Sequence, residues 1–349
     1  MIILKVSSID KRRRLPWEEH TVQNKTILIT GGTGSWGREL VRRLLERNPK
    51  EIRIFSRNES LQVELQQEFH LNPKLTFIIG DIRDKHEIMQ ACHQVDYIYH
   101  LAALKHVPIC EQQPDSAMKT NILGTQHVIQ AAIKHGVKKV VYVSTDKAAH
   151  PSSTYGMTKA IGEKLMIHAN LRQTKTKFVC VRSGNVLGST GSVIPIFKQS
   201  IENGLDISLT DARMTRFFLT IDDAVTLLLK ATEVSRGGEI YVTKMPACRI
   251  KDLAQVLIED LSAGDIQINE TGIRPGESLS EALISEFESI HSIHLDDHYY
   301  VILPPFSIEG LQEAYASYLP VDFQCYDSDQ TLMSKPAIRE MLQKGGFLE

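Results

Sequence analysis

Residues 30–37, TGGTGSWG, constrain the fold of this chain more than any other stretch. They follow a short apolar run at 25–30 (KTILIT), which suits a buried strand. They precede helical periodicity over 35–47, with Leu40, Val41, Leu44 and Leu45 on one side. Gly31, Gly34 and Gly37 therefore form G-x-x-G-x-x-G between a strand and a helix. Glycines permit the tight turn and let backbone N–H groups approach a pyrophosphate, and the helix N-terminus adds partial positive charge. The motif predicts a dinucleotide site with Gly31, Thr33, Gly34, Ser35, Trp36 and Gly37 as its contacts.

The same rhythm repeats downstream. Apolar runs at 51–55, 75–79, 95–101, 138–143 and 177–181 alternate with helical stretches near 59–70, 84–93, 116–135 and after Tyr155. Alternating strands and helices imply a parallel sheet covered on both faces, and ligands bind at the carboxyl ends of its strands. The expected fold is α/β, a Rossmann-type doubly wound parallel sheet with a smaller C-terminal substrate-binding region. Residues 1–22 read as an extension with a solvated KRRR cluster, 23–185 as the dinucleotide domain, and 186–349 as a partly interleaved substrate region. Within that region helices are expected at 192–203, 221–235, 250–261 and near 336–344, with short strands at 206–209, 239–243, 265–269 and 298–302.

Bulk composition excludes several classes. With a formal net charge of −2 in 349 residues, no nucleic-acid or membrane surface is indicated. The apolar runs fall far short of the roughly 18 residues of a membrane span. Five cysteines without paired spacing read as reduced thiols of a cytoplasmic protein. His291, His294 and His298 have helical spacing but no carboxylate or cysteine framework, so no metal is expected.

The end of the second strand chooses the cofactor. Dinucleotide sites selective for NAD place Asp or Glu there, on the ribose 2′-hydroxyl. This chain has Ser56 and Arg57 instead. A guanidinium matches a 2′-phosphate in charge and fork geometry, which favours NADP over NAD. Asp81 and Ile82 follow the third strand, where the aspartate would hold the adenine amino group or cap the next helix. Ala102 and Ala103 follow the fourth, small enough for a ribose to lie near backbone or simply for strand–helix packing.

The stretch 144–159, STDKAAHPSSTYGMTK, sets Asp146, Lys147, Tyr155 and Lys159 at the mouth of a buried strand. Tyr155 and Lys159 are i and i+4 on a helix and share a face. A tyrosine of pKa about 10 is a poor base near neutrality, and an ammonium beside it stabilises the phenolate. An adjacent acid and lysine can act on different atoms of one elimination. For Lys147 to serve as base, its pKa must fall from about 10.4, through burial or neighbouring cations such as Lys159 and the nicotinamide.

Together with TGGTGSWG, this constellation resembles the extended short-chain dehydrogenase/reductase family. The runs LAALKHVPICEQQPDSAMKTNILGTQHVI, RSGNVLGSTGSVIPIF, DARMTRFFLT and GIRPGESLSEALIS resemble its nucleotide-sugar branch in polysaccharide biosynthesis, and within it the soluble, inverting UDP-N-acetylglucosamine 4,6-dehydratases. The resemblance spans about residues 24–330. It implies oxidation at C4 with Tyr155 as base, Lys147 removing the C5 proton, Asp146 protonating the departing C6 hydroxyl, and Thr145 near the 4-oxygen. It implies Arg216 and Arg274 on the diphosphate with Asn185, Glu277 on the uridine ribose, and Lys105 near the sugar. It also implies assembly into a homo-oligomer through helices beside the sheet. The chain departs from the family where Ser183 replaces a tyrosine and Ser278 a lysine. A UDP-sugar 4-epimerase would share cofactor and tyrosine yet need no acid–base pair. A non-catalytic NADP-sensing module would not need the tyrosine–lysine pair that this chain keeps.

Overall fold

The computed structural model describes residues 21–172, 175–189, 191–261, 264–274 and 276–348. Most of the N-terminal extension, including the KRRR cluster, lies outside the described residues, as does Pro275 of the RPGE run. Six strands come first: β1 (Thr26–Thr30), β2 (Glu51–Ser56), β3 (Leu75–Ile79), β4 (Tyr97–His100), β5 (Lys139–Val143) and β6 (Lys177–Arg182). Between them run α1 (Ser35–Leu45), α2 (Glu59–Glu68), α3 (Lys85–Ala91), α4 (Val107–Gln112), α5 (Pro114–Ala117), α6 (Gly124–His135) and α7 (Thr154–Ala169). The later strands are β7 (Asn185–Val186), β8 (Ile207–Leu209), β9 (Thr215–Leu219), β10 (Ile240–Thr243), β11 (Ala247–Arg249), β12 (Ile268–Glu270), β13 (Ala282–Ile284), β14 (Ser292–His294), β15 (Tyr299–Ile302) and β16 (Tyr326–Asp327).

The main sheet has the order β14-β15-β10-β6-β5-β4-β1-β2-β3. From β3 to β10 every pairing is parallel, while β15 and β14 add an antiparallel edge. Chain order reverses between β1 and β4, so a crevice opens there at the carboxyl ends of the strands. Every residue of β1 and β4 is buried, as expected for strands covered on both faces. Three strands from beyond residue 186 thus complete the sheet begun before it. Short sheets, β11-β9-β7, β12-β8 and β13-β16, lie outside the main one. A separate core of Ile194, Phe197, Leu253 and Leu257 packs the helices Val193–Glu202 and Ile250–Leu261 together.

One expectation changes, and one spacing finds no helix. His291, His294 and His298 belong to the β14–β15 hairpin and its approaches, in keeping with the strand expected at 298–302, so backbone pairing to β15 and β10 decides the conformation over their helical spacing. The stretch 116–135 is not one α-helix, because a wider π-helical turn, Met118–Leu123, interrupts it. Among the described residues no helix is long and apolar enough to cross a membrane.

Candidate active site

The glycine turn is shaped by close approach. Gly31 has φ +71°, and a Cβ there would stand 2.8 Å from the Ala102 Cα. A Cβ on Gly37 would stand 2.2 Å from the Gly32 carbonyl oxygen. The Gly31 and Gly37 requirements seat α1 directly on the end of β1, against the segment after β4 that carries Ala102. No side chain caps α1, whose N-cap is Gly34, so its N-terminal N–H groups face the crevice without a protein carboxylate or hydroxyl. This cradle fits a pyrophosphate.

At the end of β2, Ser56 is buried and accepts hydrogen bonds from Gln62 Nε2 through its carbonyl (3.0 Å) and hydroxyl (2.9 Å) oxygens. Arg57 is half-exposed, with a guanidinium nitrogen 3.7 Å from Asp81. The Asp81 carboxylate is turned onto Arg83, accepting from Nε at 2.8 Å and from its backbone N–H at 2.9 Å. Burial pushes Asp81 up, but Arg83 and then Arg57 hold it below the usual carboxylate range. Asp84, not Asp81, caps α3. The Ile82 carbonyl accepts from His127 Nδ1 at 3.0 Å.

The reactive stretch folds tightly at the end of β5. A single 3₁₀ turn, Asp146–Ala148, follows Thr145, and α7 begins after Ser153, whose hydroxyl accepts the Gly156 N–H at 3.1 Å. Glu111 Oε1 accepts the Thr154 N–H at 2.6 Å. A Cβ on Gly156 would stand 2.3 Å from the Lys147 carbonyl oxygen, so the helix can press onto that turn only with glycine there. Asp146 is 2% exposed. Its Oδ1 accepts from the Thr145 hydroxyl (2.8 Å), the Lys147 N–H (2.9 Å) and Lys147 Nζ (3.1 Å). Its Oδ2 is buried with no partner among the described residues. Lys147 Nζ also stands 3.1 Å from Glu281 Oε1.

The titration pattern differs from the sequence expectation at two residues. Burial pushes Lys147 down, but Asp146 and Glu281 outweigh it and hold the ammonium above its ordinary value. Burial pushes the Tyr155 phenol up to about 12, against the lowering effects of Lys147 and the Thr145 hydroxyl. The protein cation that favours the phenolate is therefore Lys147. Lys159 is turned away, donating to the Val143 carbonyl at 2.6 Å with its Nζ 3.8 Å from the Tyr142 ring centroid. Burial lowers Lys159 to about 7. Asn121, on the π-helical turn, donates to the Thr158 hydroxyl (3.0 Å) and the Leu104 carbonyl (2.9 Å), which locks α7 to the stretch carrying Lys105. Burial lowers the Lys105 ammonium.

Loops from the second half of the chain close over this cluster. The Ser278 hydroxyl lies 3.0 Å from that of Ser152. Arg216 donates to the Thr215 (2.7 Å), Ser278 (2.8 Å) and Leu279 (3.1 Å) carbonyls and stands 3.7 Å from Glu281. Ser183, at the family's tyrosine position, receives the Asp146 N–H on its carbonyl at 3.0 Å. Asn185 Nδ2 donates to the Phe217 carbonyl at 3.3 Å. Arg274 is more than half exposed and 3.9 Å from Glu277, so this pair stands apart from the Asp146–Lys147–Glu281–Arg216 chain of contacts.

Residues 27–303 match the family model described as polysaccharide biosynthesis protein. The chain belongs to this branch of the extended short-chain dehydrogenase/reductases. It is 44% identical over 284 residues to the UDP-N-acetylglucosamine 4,6-dehydratase (inverting) of Campylobacter jejuni, covering 80% of this chain and 83% of that protein. It is 42% identical over 301 residues to the UDP-glucose 4-epimerase of Rickettsia canadensis, covering 84% and 86%. The solved structure of DesIV, a dTDP-glucose 4,6-dehydratase from Streptomyces venezuelae with NAD and TYD bound, is 25% identical with a TM-score of 0.66, covering 73% of this chain and 86% of that one. The chain is thus an enzyme of the nucleotide-sugar dehydratase and epimerase group.

Two features of this family member escape a reading of the sequence. Glu281 lies inside the GIRPGESLSEALIS run, and its carboxylate stands out only once β13 places it against Lys147. Arg182 is fully buried between Glu163 and Glu288, donating to both carboxylates and to the Leu283 carbonyl. An arginine closing the apolar strand KFVCVR is the one sequence signal for that network.

Proposed function

We propose that this protein converts UDP-N-acetylglucosamine to a UDP-4-keto-6-deoxy-N-acetylhexosamine, inverting C5. The observation that carries this reading is buried Asp146 paired with Lys147 beside Tyr155, an acid and an amine where an epimerase needs neither. The glycine turn at residues 31–37, with Arg57 at the end of β2, would hold NADP+, which when bound would supply the hydride acceptor for C4 and, once reduced, the hydride donor for C6. Tyr155 takes the 4-hydroxyl proton, with Thr145 beside the same oxygen. The resulting ketone acidifies the C5 hydrogen, which Lys147 removes. Asp146 gives a proton to the departing C6 hydroxyl, and water leaves. Arg216, Arg274, Asn185 and Glu277 hold the UDP half, and Lys105 the sugar. Residues 23–185 serve the cofactor and 186–349 the substrate.

The test is incubation with UDP-N-acetylglucosamine and catalytic NADP+, without added reductant. A 4-keto-6-deoxy product absorbing in alkali is expected, and NMR of that product reads C5. Formation of the C4 epimer alone sinks the proposal. The epimerase reading has one observation in its favour besides the Rickettsia relative: an ammonium held charged by two carboxylates is a poor resting base.

NADP selectivity follows from Arg57 at the 2′ position, against the NAD found in the DesIV complex. A charged hydrogen bond contributes about 1.5–3 kcal/mol, so NADP+ should bind on the order of 10- to 100-fold tighter than NAD+. Arg57→Glu should reduce or reverse this preference in titrations. Equal wild-type affinities would remove Arg57 from the role.

A further inference from the structure

Lys147 presents a difficulty that the pair with Asp146 does not resolve. A lysine that takes a proton from carbon must first be a neutral amine, yet this one faces two carboxylates. We propose that Glu281 is the acceptor of the Lys147 ammonium proton, a positioning residue that makes Lys147 a base without releasing a proton to solvent. The inference rests on the dehydratase reading.

Geometry separates the two carboxylates. Three donors converge on Asp146 Oδ1, while its buried Oδ2 has no partner among the described residues and is where the proton for the departing hydroxyl would sit. Glu281 is 5% exposed, and its Oε1 stands 3.1 Å from Lys147 Nζ. The Arg216 guanidinium, on β9, is farther at 3.7 Å and is already held by three backbone carbonyls. The backbone of Glu281 is fixed on both sides by Ser328, which receives its N–H on the hydroxyl (3.0 Å) and donates its own N–H to its carbonyl (3.1 Å). The charged or titratable groups around the pair are Asp146 from its own turn, Arg216 from β9 and Tyr155 from α7. Burial pushes the Glu281 carboxyl up, Lys147 opposes this, Asp146 adds to it, and the net direction is upward.

The protons balance. The Lys147 ammonium gives its proton to the Glu281 carboxylate, leaving an amine beside a carboxylic acid. The amine takes the C5 proton, and the electron pair left on C5 forms the C5–C6 double bond as the C6–O bond breaks. Asp146 Oδ2, holding the proton that Tyr155 took from the 4-hydroxyl, delivers it to that oxygen, which leaves as water; C5 later takes one proton and Glu281 gives one up, so the cycle closes. Arg216 keeps its charge throughout, and a diphosphate drawing it from Glu281 would strengthen the carboxylate as an acceptor.

The internal transfer conserves protons, so it has a distinctive pH signature. The probe is the 4-keto-6-deoxy product made by the wild type, returned to enzyme in D2O, with C5 exchange followed by NMR across neutral pH. This readout needs the base but not hydride transfer or Tyr155. The wild-type rate should be flat, because the amine forms without loss of a proton to water. In Glu281→Gln the amine forms only by deprotonation to solvent, so the rate should rise ~tenfold per pH unit. At pH 7 it should lie more than about 10²-fold below wild type, the range of general-base effects. Glu281→Asp, which keeps the carboxylate, should keep the flat profile at a reduced rate. A Glu281→Gln profile as flat as wild type, at any absolute rate, overturns the proposal and leaves the dehydratase reading intact. Wild-type enzyme that makes no 4-keto product overturns both. Should Glu281→Gln not fold, Glu281→Asp decides: a flat profile supports the proposal and a rising one overturns it.

Discussion

Tyr155→Phe is expected to stop oxidation at C4. In single-turnover mixing with UDP-N-acetylglucosamine and NADP+, the absorbance of reduced nicotinamide should appear more than about 10²-fold more slowly than in wild type. The phenylalanine keeps the ring and its packing but leaves the 4-hydroxyl proton without an acceptor. The size of the effect reflects how hard the protein works to ionise this phenol. Burial raises it to about 12 even with its protein neighbours in place. Lys147 and Thr145 lower it, and the positive nicotinamide, when bound, adds to their effect. In the wild type the oxidation rate should therefore climb with pH, since a group held above its ordinary value ionises only as pH rises. Near-normal oxidation in Tyr155→Phe would take Tyr155 out of the mechanism.

The fold was legible because it is written in local signals. Short apolar runs followed by helical periodicity recur along residues 25–181, and parallel pairing from β3 to β6 follows from them. What was not legible depends on distance in sequence. The His291–His298 spacing imitates a helix, but pairing to β15 and β10 decides its conformation. Lys159 sits on the same helical face as Tyr155, yet the Val143 carbonyl and the Tyr142 ring claim its ammonium. Spacing within α7 could not reveal those competitors. Glu281 is 134 positions from Lys147, and only the β13 placement makes them neighbours. Asp81 read as an adenine contact or a helix cap; Asp84 takes the cap, and the rotamer of nearby Arg83 decides that the Asp81 carboxylate is held. Motifs thus named Asp146, Lys147 and Tyr155, and tertiary contacts set the titration of Lys147 and Tyr155.

Lys147 offers the test that separates dehydration from everything before it. In D2O the wild type should place solvent deuterium at C5, while the hydrogen arriving at C6 should come from C4 of the same sugar. Lys147→Ala should lose C5 exchange and water release by more than about 10²-fold. That variant also leaves Asp146 and Glu281 buried without their shared cation, and breaking a buried ion pair costs about 3–5 kcal/mol, so its melting temperature must be read beside its activity. Lys147→Arg removes the ambiguity. A guanidinium keeps the positive charge between the two carboxylates, but it does not deprotonate in proteins and cannot act as a base. The arginine variant should melt near wild type and still pass hydride to NADP+, because its charge continues to favour the Tyr155 phenolate. It should release no water and exchange no C5 hydrogen. If Lys147→Arg dehydrates at the wild-type rate, the charge of Lys147 rather than its amine is what the site needs. The base must then lie elsewhere, with Glu281, the buried carboxylate beside Lys147 that is not the proposed acid, to take that place.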